Sequence, residues 1–291
     1  MRVAYYTLIL SAVGLTFWSF GWETEIECQP EDRQLFQRYT EQIEPFAGAS
    51  IETLLEQTAL FFVDTPYVEH TLEVGDDEEK RGNERLVVNL REFDCVTYIE
   101  TVIALMNTVR SGSSRFDDFA RQLQQIRYRD GAIEGYASRL HYVSDWVYNQ
   151  QQGGVVENIS ERLGGTCEEK KIDFMSTHRE AYKQLNCNDS LWLEIQRVEE
   201  SINNRGGFFY LPKENISSAA SRIPHMSMLG FTTKIKGLDT THTGFAFREN
   251  GRLTFIHASS AQGKVVIERR SLHDYCERQS SCTGVIVATI L

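Results

Sequence analysis

The sequence predicts an α+β fold: an antiparallel sheet, written in the C-terminal third, packs on a helix that opens with a cysteine, and extra helical elements surround the pair. Three observations predict it. Cys95, Tyr98, Ile99, Val102, Leu105 and Met106 recur at three and four residues, so one helix face can be buried over about three turns. The β-prone runs 240–247 and 253–258 flank Glu249-Asn250-Gly251, and Asn-Gly between such runs is a strong hairpin signal. Finally, 291 residues bury a full core and leave room for helical additions around it.

Taken in order, the chain begins as a targeting segment. Arg2 supplies a charge, residues 3–20 are almost continuously apolar, and Ser19-Phe20-Gly21 offers a cleavage site after Gly21. An uncleaved anchor is the alternative, since about eighteen apolar residues just span a bilayer. Either way the rest is expected to be periplasmic or secreted. Residues 22–291 form one domain: N-terminal helices over 30–63, a nucleophile region over 64–112, helical and recognition insertions over 113–205, and the sheet over 206–291.

Within these blocks, Gln29-Pro30-Glu31-Asp32 opens a helical pattern through Leu35, Phe36, Tyr39 and Ile43 that ends before Pro45, and a second follows Ser50 with Ile51, Leu54, Leu55, Thr58, Leu60 and Phe61 inward. Residues 84–90 read as a short strand after the acidic run Asp76-Asp77-Glu78-Glu79, and Phe116 to Ile126 as a surface helix. Residues 159–204 read as an inserted helical element. Strands follow over 208–211, 226–235, 240–247, 253–258, 264–268 and 284–291, with short helices at 216–223 and 271–275.

Charge and cysteine usage narrow the function. Thirty basic against forty-one acidic residues give −11, with no basic cluster, which argues against nucleic acid or an anionic membrane surface and favours a compact or zwitterionic substrate. If Cys95 stays reduced, five cysteines remain. Cys167 with Cys187 and Cys276 with Cys282 are the local pairs a disulfide could close, and the odd count leaves at least one unpaired. Cys28 follows Glu27 rather than a small residue, which argues against lipidation. No Cys-x-x-Cys spacing or fixed His offset supports zinc, so neither metal nor cofactor is expected.

Cys95 is the candidate nucleophile. Asp94 is a good N-cap, which puts the sulfur in the first turn, where unpaired N–H groups and the helix dipole favour a thiolate and can later hold an oxyanion. A thiolate needs a proton shuttle, and His242 and His257 lie in the two hairpin strands, each able to face the helix. Around a two-residue turn at 250 and 251, paired residues sum to 501. Since 242 and 257 sum to 499, they are diagonal neighbours on one face. His242 is then the base and His257 its orienter. A cysteine opening an apolar helix is commonly a small core residue, and a strand histidine commonly structural; the spaced combination of all three points to catalysis.

Thr65-Pro66-Tyr67-Val68, Phe93-Asp94-Cys95 and His242-Thr243-Gly244 resemble the signature of NlpC-type papain-like cell-wall amidases. Four longer stretches, at 65–73, 94–100, 138–146 and 255–260, resemble the N-acetylmuramoyl-L-alanine amidase-like subfamily. The resemblance implies a papain-like NlpC-type core and cleavage of the amide between the lactyl group of muramic acid and L-alanine in anhydro-muropeptides. Peptidoglycan fragments would be the partner; the oligomeric state is left open by the sequence, with a monomer expected. It departs from the wider pattern at Cys95-Val96-Thr97, where Ser-Gly follows the cysteine in relatives, and at Val68-Glu69-His70, where relatives are Gly-rich. By the same resemblance Tyr67 holds substrate or the oxyanion. The segment 135–142 reads as a recognition strip, in which Arg139 grips a stem-peptide carboxylate, Tyr136 or Tyr142 stacks on a sugar and His141 lines the site; without the resemblance it reads as an amphipathic helix or hairpin with core aromatics and a solvated Arg. The competing readings are a γ-D-glutamyl-diamino acid endopeptidase of the same fold and a non-catalytic wall-binding protein.

Overall fold

The computed structural model describes residues 25–73 and 84–291; the targeting segment and the acidic run 76–79 lie outside the described residues. The first elements are a short strand β1 (Ile26–Glu27), helices α1 (Pro30–Ile43) and α2 (Ile51–Phe61), and β2 (Leu86–Val87), which pairs in parallel with β1. Ser50 caps α2 by accepting from the Thr53 N–H, as its position requires. Helix α3 (Cys95–Arg110) follows, then α4 (Phe116–Arg127) and α5 (Val143–Gln152).

The remainder is mostly sheet. Strands β3 (Val156–Asn158) and β4 (Thr166–Glu168) precede helices α6 (Phe174–Thr177) and α7 (Asp189–Asn203). Then come β5 (Phe208–Pro212), α8 (Lys213–Ala219), β6 (Met228–Thr233), β7 (Thr240–Glu249), β8 (Arg252–Ser259), β9 (Lys264–Ile267), α9 (Leu272–Arg278) and β10 (Cys282–Ile290). The order β4-β5-β10-β6-β7-β8-β9 is antiparallel throughout, and β3 also pairs with β10. Residues 159–204 carry the expected helices, α6 and α7, and depart from the helical expectation only at β4, while β3 lies just before them. Strands β3 and β4 are three residues each, too short to write a period, and they are read only through the partners they find.

The hairpin keeps the expected register. Phe245 faces Ile256 and Glu249 faces Arg252, so each pair sums to 501. Asn250 and Gly251 both take positive φ, 51° and 81°, which a two-residue turn matching the strand twist demands and which Asn and Gly adopt at least cost.

Alternation along the strands divides two cores. Phe245, Phe247, Ile256 and Ala258 pack with α3 and α2, whereas Phe231, Ala246 and Phe255 pack with α8 and α9. Helix α3 is buried on nearly every side: Ile99, Val102, Ile103, Leu105 and Met106 are each at most 2% exposed, each worth about 1.5–3 kcal/mol on burial. Tyr98 anchors it to α2 by donating to the Ala59 carbonyl at 3.0 Å.

Cys276 and Cys282 form a disulfide joining α9 to β10. The other local pair does not form. Cys167 lies on β4 against the Gly206 carbonyl, and Cys187 lies just before α7, and both are free and exposed.

Candidate active site

The candidate nucleophile, Cys95, is set by the cap before it. Asp94 is extended at φ −89° and its carboxylate accepts from the N–H groups of Val96 (2.9 Å) and Thr97 (2.8 Å), while Thr97 Oγ1 accepts from the Asp94 N–H at 3.0 Å. The reciprocal cap starts α3 at Cys95. Asp94 holds the next two N–H groups, so the Cys95 N–H is the first-turn donor that the cap does not engage. The approach to the cap is pinned by Phe93, whose N–H donates to the Pro66 carbonyl at 3.0 Å, and this puts Tyr67 alongside. Burial, then the charges of Cys95, Glu69 and Asp94, push the Tyr67 hydroxyl up, so it stays a neutral donor near the thiol.

The histidines meet as the register requires. His242 Nε2 and His257 Nδ1 are 2.5 Å apart and share one hydrogen bond. Gly244 permits this: a Cβ there would lie 2.9 Å from the Phe255 ring and 3.3 Å from His257 Cβ. The face differs from expectation. Both imidazoles pack among Phe255 and Tyr275, on the α9 side of the sheet, rather than over α3. Alternation sends Thr243, not His242, toward the helix.

Thr243 closes the gap between the two faces. Its hydroxyl donates to the Cys95 carbonyl at 2.6 Å, so the first turn of α3 is fastened to β7 at the residue next to His242. Tyr275, which packs on both histidines, has its hydroxyl pushed up by burial, by Glu268 and by Cys95, and so reports the sulfur in the same corner. A cavity of about 680 Å³ opens on the histidine side, lined by His242, His257, Gln262, Glu268, Arg270 and Tyr275; Cys95 and Tyr67 are not among its lining residues. Thr243 and Tyr275 were missed in the sequence. A hydroxyl following the base residue is a weak signal for the first, and the second has none.

Electrostatics correct the thiolate expectation. Burial, with the Asp94 carboxylate second, pushes the Cys95 thiol up to about 12, against hydrogen bonds from Thr243. The same cap that orders the helix opposes the anion. Burial pulls His242 down to about 4, and burial plus His242 pulls His257 down to about 2. These shifts all favour the uncharged forms, a thiol at Cys95 and neutral imidazoles at His242 and His257. A consequence is measurable. If His242 is the base it acts when neutral, so kcat/KM should hold as pH falls through 6.5, where an ordinary imidazole would already be half-protonated, and decline toward pH 4. Hydrolysis rates between pH 3.5 and 8, over the range where circular dichroism is constant, check this; a limb centred near 6.5 would overturn it.

The recognition strip is engaged with the protein itself. Arg139 donates to Glu84 from Nε (3.0 Å) and from the NH2 nitrogen (2.8 Å), and to Glu73 from the NH1 nitrogen (2.9 Å). Burial works against its charge, yet the two carboxylates keep it protonated. The fork that would grip a substrate carboxylate is thus filled from within. Tyr136, 7% exposed, packs its ring on Arg139 and on His141, whose Nε2 bonds the Tyr136 carbonyl, and burial followed by Arg139 pulls His141 down to about 3. Tyr142 donates to Glu199 at 2.7 Å. None of these four lines the 680 Å³ cavity.

Comparison with known proteins follows this geometry. Residues 57–285 match the model of a family described as AmiA-like: N-acetylmuramoyl-L-alanine amidase-like. No curated protein matches the chain. Among solved structures, an N-acetylmuramoyl-L-alanine amidase from Bacteroides uniformis is 34% identical with a TM-score of 0.74, over 81% of this chain and 98% of that one. A Bacteroides fragilis structure, provisionally named a xylanase, is 36% identical with a TM-score of 0.73, over 80% and 99%. A Legionella pneumophila structure at 21% identity and TM-score 0.65, over 89% and 95%, shares the fold alone.

Proposed function

The chain belongs to the AmiA-like, N-acetylmuramoyl-L-alanine amidase-like family, and from that premise we propose that it is an exported cysteine amidase with an NlpC-type papain-like core, which hydrolyses the N-acetylmuramoyl-L-alanine bond of anhydro-muropeptides through a thioester. The observation that carries this reading is the fastening of Cys95 to the His242–His257 pair through Thr243.

The steps follow from the donors at hand. His242 Nε2 is engaged by His257, which leaves Nδ1 to take the Cys95 proton as Sγ attacks the lactyl carbonyl. The oxyanion meets the Cys95 N–H and the Tyr67 hydroxyl. His242 returns the proton to the alanine nitrogen as the C–N bond breaks, then draws one from water as the hydroxide resolves the thioester and Sγ leaves as a thiol. His257 fixes the tautomer throughout.

The name of one neighbour invites a glycosidase reading. Glycoside hydrolysis uses two carboxylates flanking the bond; among the residues lining the cavity there is one, Glu268. Amide hydrolysis is the better supported reaction. Mass spectrometry of an anhydro-muropeptide digest tests it: release of intact stem peptide and anhydro-sugar is expected, while a cut inside the stem would move the assignment to the endopeptidase.

A further inference from the structure

Glu268 follows β9 and is 5% exposed, with its carboxylate 3.9 Å from His257 Nε2. That nitrogen is fully buried and has no hydrogen-bond partner. The other carboxylate oxygen accepts from the Arg270 N–H at 3.0 Å, and the Arg270 side chain lies 3.7 Å away. Thr254 Oγ1 holds the Glu268 carbonyl at 2.6 Å, so the residue is fixed behind the histidine pair.

One hydrogen bond joins the two imidazoles, so one ring donates and the other accepts, and two tautomer chains are open. In the first, His242 Nε2–H donates to His257 Nδ1; His242 Nδ1 is then a base, and the His257 proton sits on Nε2, pointing at Glu268. In the second, His257 Nδ1–H donates to His242 Nε2. His242 then carries its proton on Nδ1 and cannot accept one from a thiol, and a bare Nε2 lone pair faces the carboxylate. At 3.9 Å the Glu268 contact exceeds hydrogen-bond length, but in a buried pocket a carboxylate still attracts an N–H dipole and repels a lone pair.

We propose that Glu268 is a positioning residue, which selects the tautomer of the His257–His242 pair in which His242 Nδ1 is free to take the Cys95 proton. It acts through His257 rather than on the sulfur, and it completes a Glu268–His257–His242–Cys95 line. The inference rests on the cysteine amidase reading for its effect on rate, but not for its effect on the protons. The groups facing His257 are His242 from β7, Glu268 with Arg270 after β9, and Tyr275 from α9.

Glu268→Gln separates the roles. Its amide oxygen can keep the Arg270 N–H, which preserves the turn and turns the NH2 group toward His257 Nε2, favouring the unproductive tautomer. Side-chain 15N spectra should show His257 protonated at Nε2 in the wild type and at Nδ1 in the variant. Turnover of anhydro-muropeptide should fall about 10- to 100-fold with KM nearly unchanged and the melting temperature retained. An unchanged tautomer with unchanged kcat would overturn the proposal. So would a loss of activity that merely follows a loss of folded protein, which would leave Glu268 a turn former. The tautomer spectrum stands without catalysis, so a failure of the amidase reading, seen as an active Cys95→Ser, is distinguished from a failure of this one.

Discussion

Cys95→Ser is expected to lose about 10³-fold or more in turnover while remaining folded. The loss is large because the site offers a hydroxyl no compensation. Burial and Asp94 already disfavour the thiolate, and a hydroxyl is far harder to deprotonate, while His242, held down to about 4, is a weak base for it. Folding is spared because the substitution keeps shape at a half-buried position and leaves the contacts of its neighbours, Thr243 Oγ1 to the Cys95 carbonyl and Thr97 N–H to Asp94, with backbone and cap atoms. Turnover by mass spectrometry and a melting curve on the same sample check both halves. Wild-type turnover in the variant would remove Cys95 from the mechanism. A melting temperature lowered by more than about 4 °C, roughly 1–2 kcal/mol for a chain of this size, would make the activity loss uninformative.

How far the sequence reached depends on what each feature needed. The hairpin was legible because a two-residue turn fixes register arithmetically, and arithmetic brought His242 to His257 without knowledge of the rest. Helix α3 and its cap were legible because both are local: Asp94, Cys95 and the apolar positions lie within sixteen residues. Everything decided by distant partners was not. Arg139 reads as a substrate clamp until Glu84 and Glu73 are brought to it from 55 and 66 residues away. The thiol reads as acidic until burial is known, since a helix terminus is visible in sequence and desolvation is not. Which sheet face the histidines take turned on the alternation of β7 against α3, where Thr243 rather than His242 points at the helix. Glu268 and Tyr275 enter the site only because β9 and α9 return beneath the hairpin.

The largest stability effect is expected at Arg127, the last residue of α4. It is 2% exposed and donates from Nε to Glu100 at 2.7 Å and from NH1 to the Val87 carbonyl at 2.6 Å, tying α4 to α3 and β2 at one point. Glu100 lies in α3 five residues beyond Cys95 and is also 2% exposed; burial pushes its carboxyl up and Arg127 opposes this. Arg127→Met fills similar space but leaves a buried carboxylate without its cation and a carbonyl without its donor. The expected cost is about 3–5 kcal/mol, because the desolvation of Glu100 remains while its compensation is gone. Chemical denaturation measures it, and a loss under about 1 kcal/mol would show that Glu100 finds water or a proton cheaply. The double variant Arg127→Met with Glu100→Leu should recover most of the loss, since a packed apolar pair replaces an ion pair that must itself be desolvated. Activity discriminates further. If the pair serves only stability, the double variant turns over as wild type does; if it also holds the pitch of α3, the Cys95 end shifts against Thr243 and kcat falls although the melting temperature is restored.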